Sequence, residues 1–411
     1  MSRRGNNEGS IGQRKDGRWE SRIDLGYGNG KRRRKSIYGE TRKEVQEKLT
    51  RALRARQLGL PVESDRLTVG DWLTQWLGMQ KPPATKPKTY EAYEGDLRIH
   101  LIPAFGNRPL VKLQPQEVRE FMRAKIEAGF SSKSIRNYRA TLRAALNVAM
   151  QDGLIARNSA ALAKPPRLEK PVLHVFSKEE ALRFLDAARG HRLEAVFTVG
   201  LSLGMREGEI LGLRWQDIDL DAAKLQVSYC LQRIKRPGEA KSKLELISPK
   251  THKSRRPIAL PQVAVSALYA HRARQEQERK SRGPRWRDTG MVFTTGIGTM
   301  LDPRNMLRAF YGIINTPDPG DPEPDPKKKR KLFARLRFHD LRHSVATLLL
   351  AQGVDARYIM ELLGHSSITL TMNTYGHVLE EMQRETARQT DAIFNPVGVK
   401  MGVKPDAGKV N

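Results

Sequence analysis

The strongest constraint on the fold lies near the carboxyl end, where residues 338–343 read FHDLRH. On a helix, this spacing puts His339 and Arg342 on the same face. His365 follows in a helical pattern, and Tyr375 comes ten residues after it. Phosphoryl transfer needs positioned cations and hydrogen-bond donors around the phosphate oxygens more than it needs paired carboxylates. The fold must therefore bring these segments together, and their residue types suit chemistry on a phosphodiester.

The overall charge also indicates a phosphate-rich partner. Lysine and arginine number 74 against 45 acidic residues, which gives a formal net charge of +29. Such an excess favours polyanions, because neutralising phosphates releases counterions and supplies affinity. A ribosome-associated or merely basic protein is the alternative, but the clustering of the charges favours nucleic acid.

Several features argue against a secreted or membrane protein. Cys230 is the single cysteine, so no internal disulfide can form. No apolar run approaches the roughly 20 residues that a membrane span requires, and the amino terminus lacks the apolar core of a signal peptide. We therefore expect a cytoplasmic protein of a bacterial host, associated with the nucleoid and not with a membrane.

A second guanidinium lies upstream in GMREGE, residues 204–209, which contains Arg206 and Glu209. Between the two arginine motifs comes PKTHKSRR, residues 249–256, with Lys250 as its second residue. The order Arg, Lys, His-x-x-Arg, Gly-His, Tyr resembles the tyrosine recombinases of the phage-integrase family. The match spans roughly residues 171–393, and its specificity lies in the ordered set.

The resemblance implies a catalytic set of six residues: Arg206, Lys250, His339, Arg342, His365 and Tyr375. In that set the two arginines would clamp the scissile phosphate. Lys250 would protonate the leaving 5′ oxygen, His339 would assist proton transfer, and His365 would donate a hydrogen bond to a phosphate oxygen.

Tyr375 would be the nucleophile. A phenol has an ordinary pKa near ~10 and attacks poorly at neutral pH, so the phosphate must be activated. The planar forks of two arginines can hold both non-bridging oxygens and stabilise the charge that develops on them. A tyrosyl phosphodiester keeps the energy needed to rejoin strands. This logic requires neither a metal nor another cofactor.

Several assignments near this set remain open. Lys253, Arg255 and Arg256 crowd the segment that carries Lys250 and compete with it for the proton-donor role. Glu209 is interpreted as a residue that orients Arg206 or a neighbouring group, and a surface acid is the alternative.

His343 is interpreted as a residue that supports the site, with a buried, hydrogen-bonded core histidine as the alternative. Its spacing from His339 also suits zinc. The metalloprotease motif has glutamate after its first histidine, where this chain has Asp340. We therefore expect no metal site.

Residues 1–66 are predicted to form a small DNA-binding domain. Three strands at 10–13, 18–24 and 32–38 precede a helix that starts at the capping box 41–44 and ends near residue 58. The segment resembles the arm-type DNA-binding domains of integrases. A small sheet of this kind can place one face in the major groove. For residues 31–35, a solvated charge run is the alternative. The candidate DNA contacts are Arg18, Trp19, Arg22, Lys31, Arg32, Arg33 and Arg34.

Residues 67–165 are predicted to be all helical, with segments at 67–77, 89–101, 115–127 and 132–151. This unit resembles the family's core-binding domain. In its last helix, Lys133, Arg136 and Arg139 lie opposite the apolar stripe and are candidate phosphate contacts. Plain solvent exposure is the alternative.

Residues 166–394 are predicted to form a mostly helical catalytic domain. Strands are expected at 225–233, 244–247 and 256–260, with Lys250 at the tip of a hairpin between the last two. A strand is also expected at 291–294, a mobile insertion at 317–331, and a disordered tail at 395–411. The basic run of the insertion resembles a nuclear-import signal, but a loop facing phosphate is the simpler interpretation. The fold class is thus mainly α with small β-sheets (α+β), of the tyrosine recombinase and type IB topoisomerase type.

The resemblance implies a site-specific recombinase that integrates a phage or mobile element through a 3′-phosphotyrosyl intermediate. Its partners would be double-stranded DNA at core and arm sites, a host architectural protein and a directionality factor. A helix at 378–393 would dock on a neighbouring subunit and so build a homotetramer on DNA. The alternatives are a type IB topoisomerase and a DNA-binding protein that has lost catalysis.

Overall fold

The computed structural model describes residues 10–28, 31–57, 67–168, 174–248, 255–323, 325, 330–333, 336–364, 387–388, 390–391 and 394. The chain divides into two units, Met1–Lys170 with Lys235–Lys241, and Pro171–Ile234 with Ser242–Asn411. The predicted domain boundaries at 66, 165 and 394 stay predictions.

The first unit begins with an antiparallel sheet of three strands in the order β1 (Ser10–Gln13), β2 (Trp19–Gly28) and β3 (Lys31–Gly39), followed by helix α1 (Arg42–Gln57). The Thr41 hydroxyl accepts from the amide of Glu44, whose carboxylate accepts from the amide of Glu40, so side chains satisfy two free donors at the start of α1. The predicted strands and helix are confirmed. The predicted end of β2 at Asp24 is wrong, since pairing resumes at Tyr27 after a register shift.

The two faces of this sheet differ in character. Ile23 is buried and packs against Leu49 and Ala52 of α1. Because side chains alternate along a strand, Trp19 lies on the same face as Ile23, while Arg22 lies on the other. The prediction that Trp19 and Arg22 share one face is therefore wrong.

Residues 67–168 of the first unit are mainly helical. Their helices are α2 (Val69–Met79), α3 (Pro87–Asp96), a π-helical turn (Leu97–Leu101), α4 (Ile102–Phe105), a 3-10 turn (Leu110–Lys112), α5 (Pro115–Glu127), α6 (Ser132–Gln151) and α7 (Ser159–Leu162). The predicted bounds of α5 and α6 are confirmed. The segment predicted at 89–101 is longer, because regular helix begins at Pro87 and continues through the π-helical turn to Phe105.

Two tryptophans on α2 anchor the helical core of this unit. Trp72 and Trp76 are each 2% exposed, and the Trp72 indole nitrogen donates to the Ala145 carbonyl of α6 at 3.0 Å. The hydrogen bond satisfies the polar atom that burial of an indole would otherwise leave without a partner.

The second unit contains α8 (Lys178–Ala187), α9 (Glu194–Leu203), α10 (Glu207–Leu211), a 3-10 turn (Trp215–Asp217), β4 (Ile218–Asp219), β5 (Lys224–Gln226), β6 (Cys230–Ile234), β7 (Lys243–Ile247), β8 (Pro257–Ala259), α11 (Gln262–Arg282), a 3-10 turn (Gly283–Arg285), α12 (Pro303–Ile314), α13 (Phe338–Ala351) and α14 (Ala356–Leu363). Helix α9 is buried along nearly its whole length and packs against α8, α10, α11 and α13. An apolar helix surrounded in this way forms the centre of the core.

The strand prediction for this unit needs two corrections. The predicted strand at 225–233 is two strands in different sheets, since β5 pairs with β4 and β8 while β6 pairs with β7. Between the two strands the chain passes close to the end of α10, since a Cβ added at Gly212 would be 2.7 Å from the Tyr229 carbonyl oxygen. Because β8 pairs with β5 and β7 pairs with β6, β7 and β8 do not form the expected hairpin around Lys250. Residues 249–254 lie outside the described part of the chain.

Three smaller predictions have mixed outcomes. The strand expected at 291–294 is two isolated bridges, at Met291 and Thr294. The ends of the insertion at 317–331 pair with each other through a bridge between Pro317 and Lys331. Of the helix expected at 378–393, the structure describes only residues 387, 388, 390 and 391, which are helical. The predicted tail at 395–411 lies outside the described residues.

We expect Trp72→Phe to lower the free energy of unfolding by about 1–3 kcal/mol, because it removes the bond to Ala145 and leaves part of the indole volume empty. Urea unfolding followed by circular dichroism measures this change. Met79→Ala, at a position 52% exposed, is the control and should change stability by less than about 0.5 kcal/mol. Equal effects of the two changes would contradict this account of the core.

Candidate active site

Arg206 follows the buried helix α9 and begins the short helix α10. Gly204 ends α9 with φ +59°, in the left-handed region, and an added Cβ there would lie 2.6 Å from Leu363 Cδ2. Glycine meets both demands at once. The chain can therefore turn directly from the core helix to Arg206.

Glu209 holds Arg206 through two contacts. The Arg206 Nη1 donates to Glu209 Oε1 at 2.6 Å, and the Arg206 backbone amide donates to Oε2 at 3.1 Å. Glu209 is only 1% exposed, so it is not the surface acid that the sequence left open. The Arg206 side chain remains 38% exposed.

Arg256 approaches Glu209 from a different part of the chain. Its Nη2 donates to Glu209 Oε2 at 3.2 Å, and its side chain is 8% exposed. Burial acts to raise the pKa of the Glu209 carboxyl, but the charges and hydrogen bonds of Arg256 and Arg206 outweigh it and hold that pKa below its ordinary value. Glu209 is therefore ionised at neutral pH.

Arg342 lies on α13 and is 2% exposed. Its Nη1 donates to the Gly204 carbonyl at 2.8 Å, and its Nη2 donates to the Leu363 carbonyl at 2.6 Å. The Nη2 of Arg206 donates to the next carbonyl, that of Gly364, at 3.1 Å. The structure thus brings the two predicted arginines to adjacent carbonyls at the end of α14, where the helix dipole favours cations.

His339 and His343 lie one turn apart on α13, with ring centroids 5.2 Å apart. The His339 side chain reaches solvent, but partial desolvation by the surrounding protein lowers the pKa of its imidazole most, and His343 adds to the effect. The charges of Arg342 and Arg206 act in the same direction, and the pKa falls from 6.5 to about 4. His339 is therefore a neutral base at physiological pH.

Burial also lowers the pKa of His343, although Asp340 opposes the shift. No group of three or more metal-ligating side chains occurs in the part of the chain that the structure describes.

Three predicted catalytic residues, Lys250, His365 and Tyr375, lie outside the described residues. His365 directly follows Gly364, which accepts the bond from Arg206. The catalytic roles of all six residues stay predictions.

The basic residues predicted to contact DNA have varied surroundings. Lys133 is exposed on α6. Arg136 donates to the Pro166 carbonyl at 3.0 Å, and Arg139 donates to Ala163 at 2.5 Å and to Ala161 at 3.1 Å. These hydrogen bonds link α7 and the segment after it to α6. Contact of the two arginines with DNA stays a prediction.

On the exposed face of the N-terminal sheet, a pocket is lined by Arg14, Glu20, Arg22, Arg34, Ser36 and Tyr38. Arg22 and Arg34 come from neighbouring strands, so this face carries positive charge from more than one strand. Arg22 pairs with Glu20 on the same strand, and Arg18 pairs with Asp16 in the β1–β2 turn. The side chains of residues 31–33 are outside the described part, and DNA contact for the whole group stays a prediction.

The sequence reasoning missed Arg256 as a partner of Glu209 and treated it as a competitor of Lys250. A signal was available in the strand period. Arg256 alternates with the buried Ile258 and Leu260, while residues 255, 257 and 259 are exposed. A charged residue in the inward register of a strand indicates a buried ion pair.

Two family models match the chain. The phage integrase family matches residues 322–382, and the phage integrase N-terminal SAM-like domain matches residues 68–126. A tyrosine recombinase XerC-like protein of Caldanaerobacter subterraneus subsp. tengcongensis is 30% identical over 397 residues, which are 92% of this chain and 98% of the relative. The chain belongs to the phage integrase family of tyrosine recombinases. An integrase of Streptomyces ambofaciens is 29% identical to the recombinase, over 92% of this chain and 94% of that relative.

Solved structures agree with this assignment. The recombinase matches the integrase of transposon Tn1549, in complex with a circular intermediate DNA, with a TM-score of 0.62 and 22% identity over 77% of this chain and 99% of that one. A lambda integrase dimer bound to a core site matches with a TM-score of 0.54 and 18% identity, over 91% of this chain and 96% of that one. The predicted α+β recombinase fold and the predicted enzyme, a tyrosine site-specific recombinase of the integrase type, are both confirmed.

No helix among the described residues is long and apolar enough to cross a membrane.

The lowered pKa of His339 predicts a pH-dependent stability. Between pH 6.5 and about 4, the unfolded chain takes up a proton at this imidazole that the folded chain does not, so the free energy of unfolding falls as the pH is lowered through this window. We expect His339→Gln to lose less stability than the wild type across it, as measured by urea unfolding at several pH values. His174→Gln, at an exposed position outside the site, should follow the wild type. Identical pH dependence in His339→Gln and the wild type would contradict the account.

Proposed function

We propose that this recombinase cuts and rejoins DNA through a 3′-phosphotyrosyl link at Tyr375, and so integrates a phage or mobile element. The observation that carries the proposal is the meeting of Arg206 and Arg342 at adjacent carbonyls, with a neutral His339 on the same helix as Arg342. This arrangement offers cations for a phosphate and a base for a phenol.

In the proposed reaction, a scissile phosphate first meets Arg206, whose side chain is open to solvent. Because Arg342 is only 2% exposed, the phosphate reaches it when the residues that cover its guanidinium move. Two planar forks then hold the non-bridging oxygens and stabilise the charge that develops in the transition state. His365, next to Gly364, adds a hydrogen bond to a phosphate oxygen.

Proton transfers complete the step. Neutral His339 assists removal of the phenolic proton as Tyr375 attacks phosphorus, and Lys250 protonates the departing 5′ oxygen. The 5′ hydroxyl of another strand reverses the attack and reseals the DNA, so no ATP is consumed.

The proposed partner is double-stranded DNA at core and arm sites, in the nucleoid of a bacterial host. The net charge of +29 supports it. Integrases of similar fold have been solved with a circular intermediate DNA and, for lambda integrase, as a tetramer on a Holliday junction. By analogy we propose a homotetramer on DNA, with a host architectural protein and a directionality factor as accessory partners.

We expect Tyr375→Phe to abolish the covalent protein–DNA adduct formed on a nicked suicide substrate, because the nucleophilic oxygen is gone. DNA binding in a gel shift should change little, since many other cations hold the duplex. Tyr358→Phe is the matched control, because Tyr358 is 70% exposed on α14. This variant should form the adduct at the wild-type rate. An adduct that persists in Tyr375→Phe would show that another residue attacks. Relaxation of supercoils without exchange between two sites would instead favour a topoisomerase.

For the sheet face, we expect the double variant Arg22→Gln, Arg34→Gln to bind DNA flanking the core site more weakly. The slope of log affinity against log salt should flatten by about 0.9 for each phosphate that the variant no longer neutralises. Cleavage of an isolated core site should stay at the wild-type rate. Lys43→Gln, at an exposed position on α1, is the control. If the double variant and Lys43→Gln weaken flanking-site binding equally, this face is not the contact surface.

A further inference from the structure

Arg256 connects three segments of the proposed active site. It stands directly before β8, where its backbone carbonyl accepts from the amide of Val227 at 3.0 Å. Its Nη2 reaches Glu209 on α10, and its Nε donates to the Leu362 carbonyl of α14 at 2.7 Å. One side chain thus spans from a strand to two helices.

The end of α14 is shaped to receive this side chain. Gly364 has φ +63°, and an added Cβ there would lie 2.8 Å from Arg256 Nη1. The bonds to Glu209 and Leu362 already restrict the movement of Arg256, so its guanidinium is not free to move away from such a clash. The absence of a side chain at 364 therefore lets the guanidinium pack directly against the backbone that precedes His365.

Three guanidiniums bind consecutive carbonyls here. Arg256 takes that of Leu362, Arg342 that of Leu363 and Arg206 that of Gly364. A displacement of the α14 end would therefore move the acceptors of both predicted phosphate-binding arginines.

Arg256 also sets the charge balance of the site. Glu209 carries one negative charge and contacts two guanidiniums, those of Arg206 and Arg256. If Glu209 had Arg206 as its only cation, the pair would be close to neutral, and Arg206 would attract a phosphate less strongly. With Arg256 present, the group of three keeps a net positive charge.

We propose that Arg256 is a positioning residue of the recombinase, which offsets the negative charge of Glu209 and fixes the end of α14 so that Arg206 is correctly placed and its positive charge is available to the scissile phosphate. The inference rests on the proposed function and adds a residue that does not itself touch DNA. Lysine cannot replace it, because one ammonium lacks the planar fork that reaches the carboxylate and the carbonyl together.

The first test compares Arg256→Lys and Arg256→Met with the wild type at saturating DNA. Adduct formation at Tyr375 should slow by about 10- to 100-fold, the scale of misplaced catalytic groups, while DNA affinity changes by less than about 3-fold, since Arg256 carries only one of the many positive charges available to the duplex. Arg308→Met is the control, because Arg308 is exposed on α12. A parallel fall of rate and affinity, or no fall in rate, would overturn the proposal.

The second test uses the double variant Arg256→Met, Glu209→Gln, with both single variants completing the cycle. Removing the carboxylate along with its partner takes away the negative charge beside Arg206, and it should raise the adduct rate at least about 3-fold above that of Arg256→Met, a coupling typical of contacting pairs. A double variant no faster than Arg256→Met would overturn the role in charge balance.

A third measurement does not depend on catalysis. Hydrogen exchange of a peptide covering residues 356–364 should be faster in Arg256→Met than in Arg308→Met, because the Leu362 carbonyl loses its hydrogen bond from Arg256. Equal exchange would overturn the positioning role. Failure of the proposed function gives a different result, because the wild type itself would then form no adduct at Tyr375.

Discussion

The catalytic unit depends on the hydrogen bonds between guanidiniums and the carbonyls that end helix α14. A buried cation is costly unless it is hydrogen-bonded, and the last carbonyls of a helix lack partners within it. Placing one group against the other satisfies both requirements. Arg342 can therefore be 2% exposed, because the carbonyl oxygens of Gly204 and Leu363 accept hydrogen bonds from its guanidinium.

This arrangement determines much of the surrounding backbone. Helix α14 must end where the arginines can reach it, and Gly364 permits the left-handed turn that exposes those carbonyls. Helix α9 must end close to the same point, and Gly204 allows it to approach Leu363. The apolar length of α9 buries it in the core and fixes the origin of the turn. Rigid packing in the core therefore supports a site whose polar groups have well-defined positions.

The sequence predicted features that repeat with a clear period. Helices α5 and α6 have the predicted bounds because apolar residues recur at helical spacing and Pro115 and Ser131 mark their starts. The prediction of one strand at 225–233 is wrong, because a run of strand-forming residues contains no sign of a change from one sheet to another. Between the two strands, Tyr229 lies close to the Gly212 backbone, an approach that only the folded chain reveals.

Prediction from the sequence was also limited for side chains that suit either the surface or the interior. The sequence predicted that Arg136 and Arg139 lie opposite the apolar stripe of α6, but it could not show that carbonyl groups of residues 161–166 accept hydrogen bonds from them. Glu209 was equally consistent with the surface and the interior. Its burial depends on Arg256, 47 positions away, and such pairing at long range leaves no trace in local spacing.

The same cations contribute to the neutral state of His339, whose pKa is lowered most by desolvation. Arg342 and Arg206 add to desolvation in keeping its imidazole neutral, so the groups that would attract a phosphate also maintain a base beside it. In the proposed reaction, a bound phosphate would offset part of that positive charge and raise the affinity of His339 for a proton as Tyr375 attacks. Electrophile activation and proton removal then follow from one distribution of charge, and neither step needs a metal ion or a paired carboxylate.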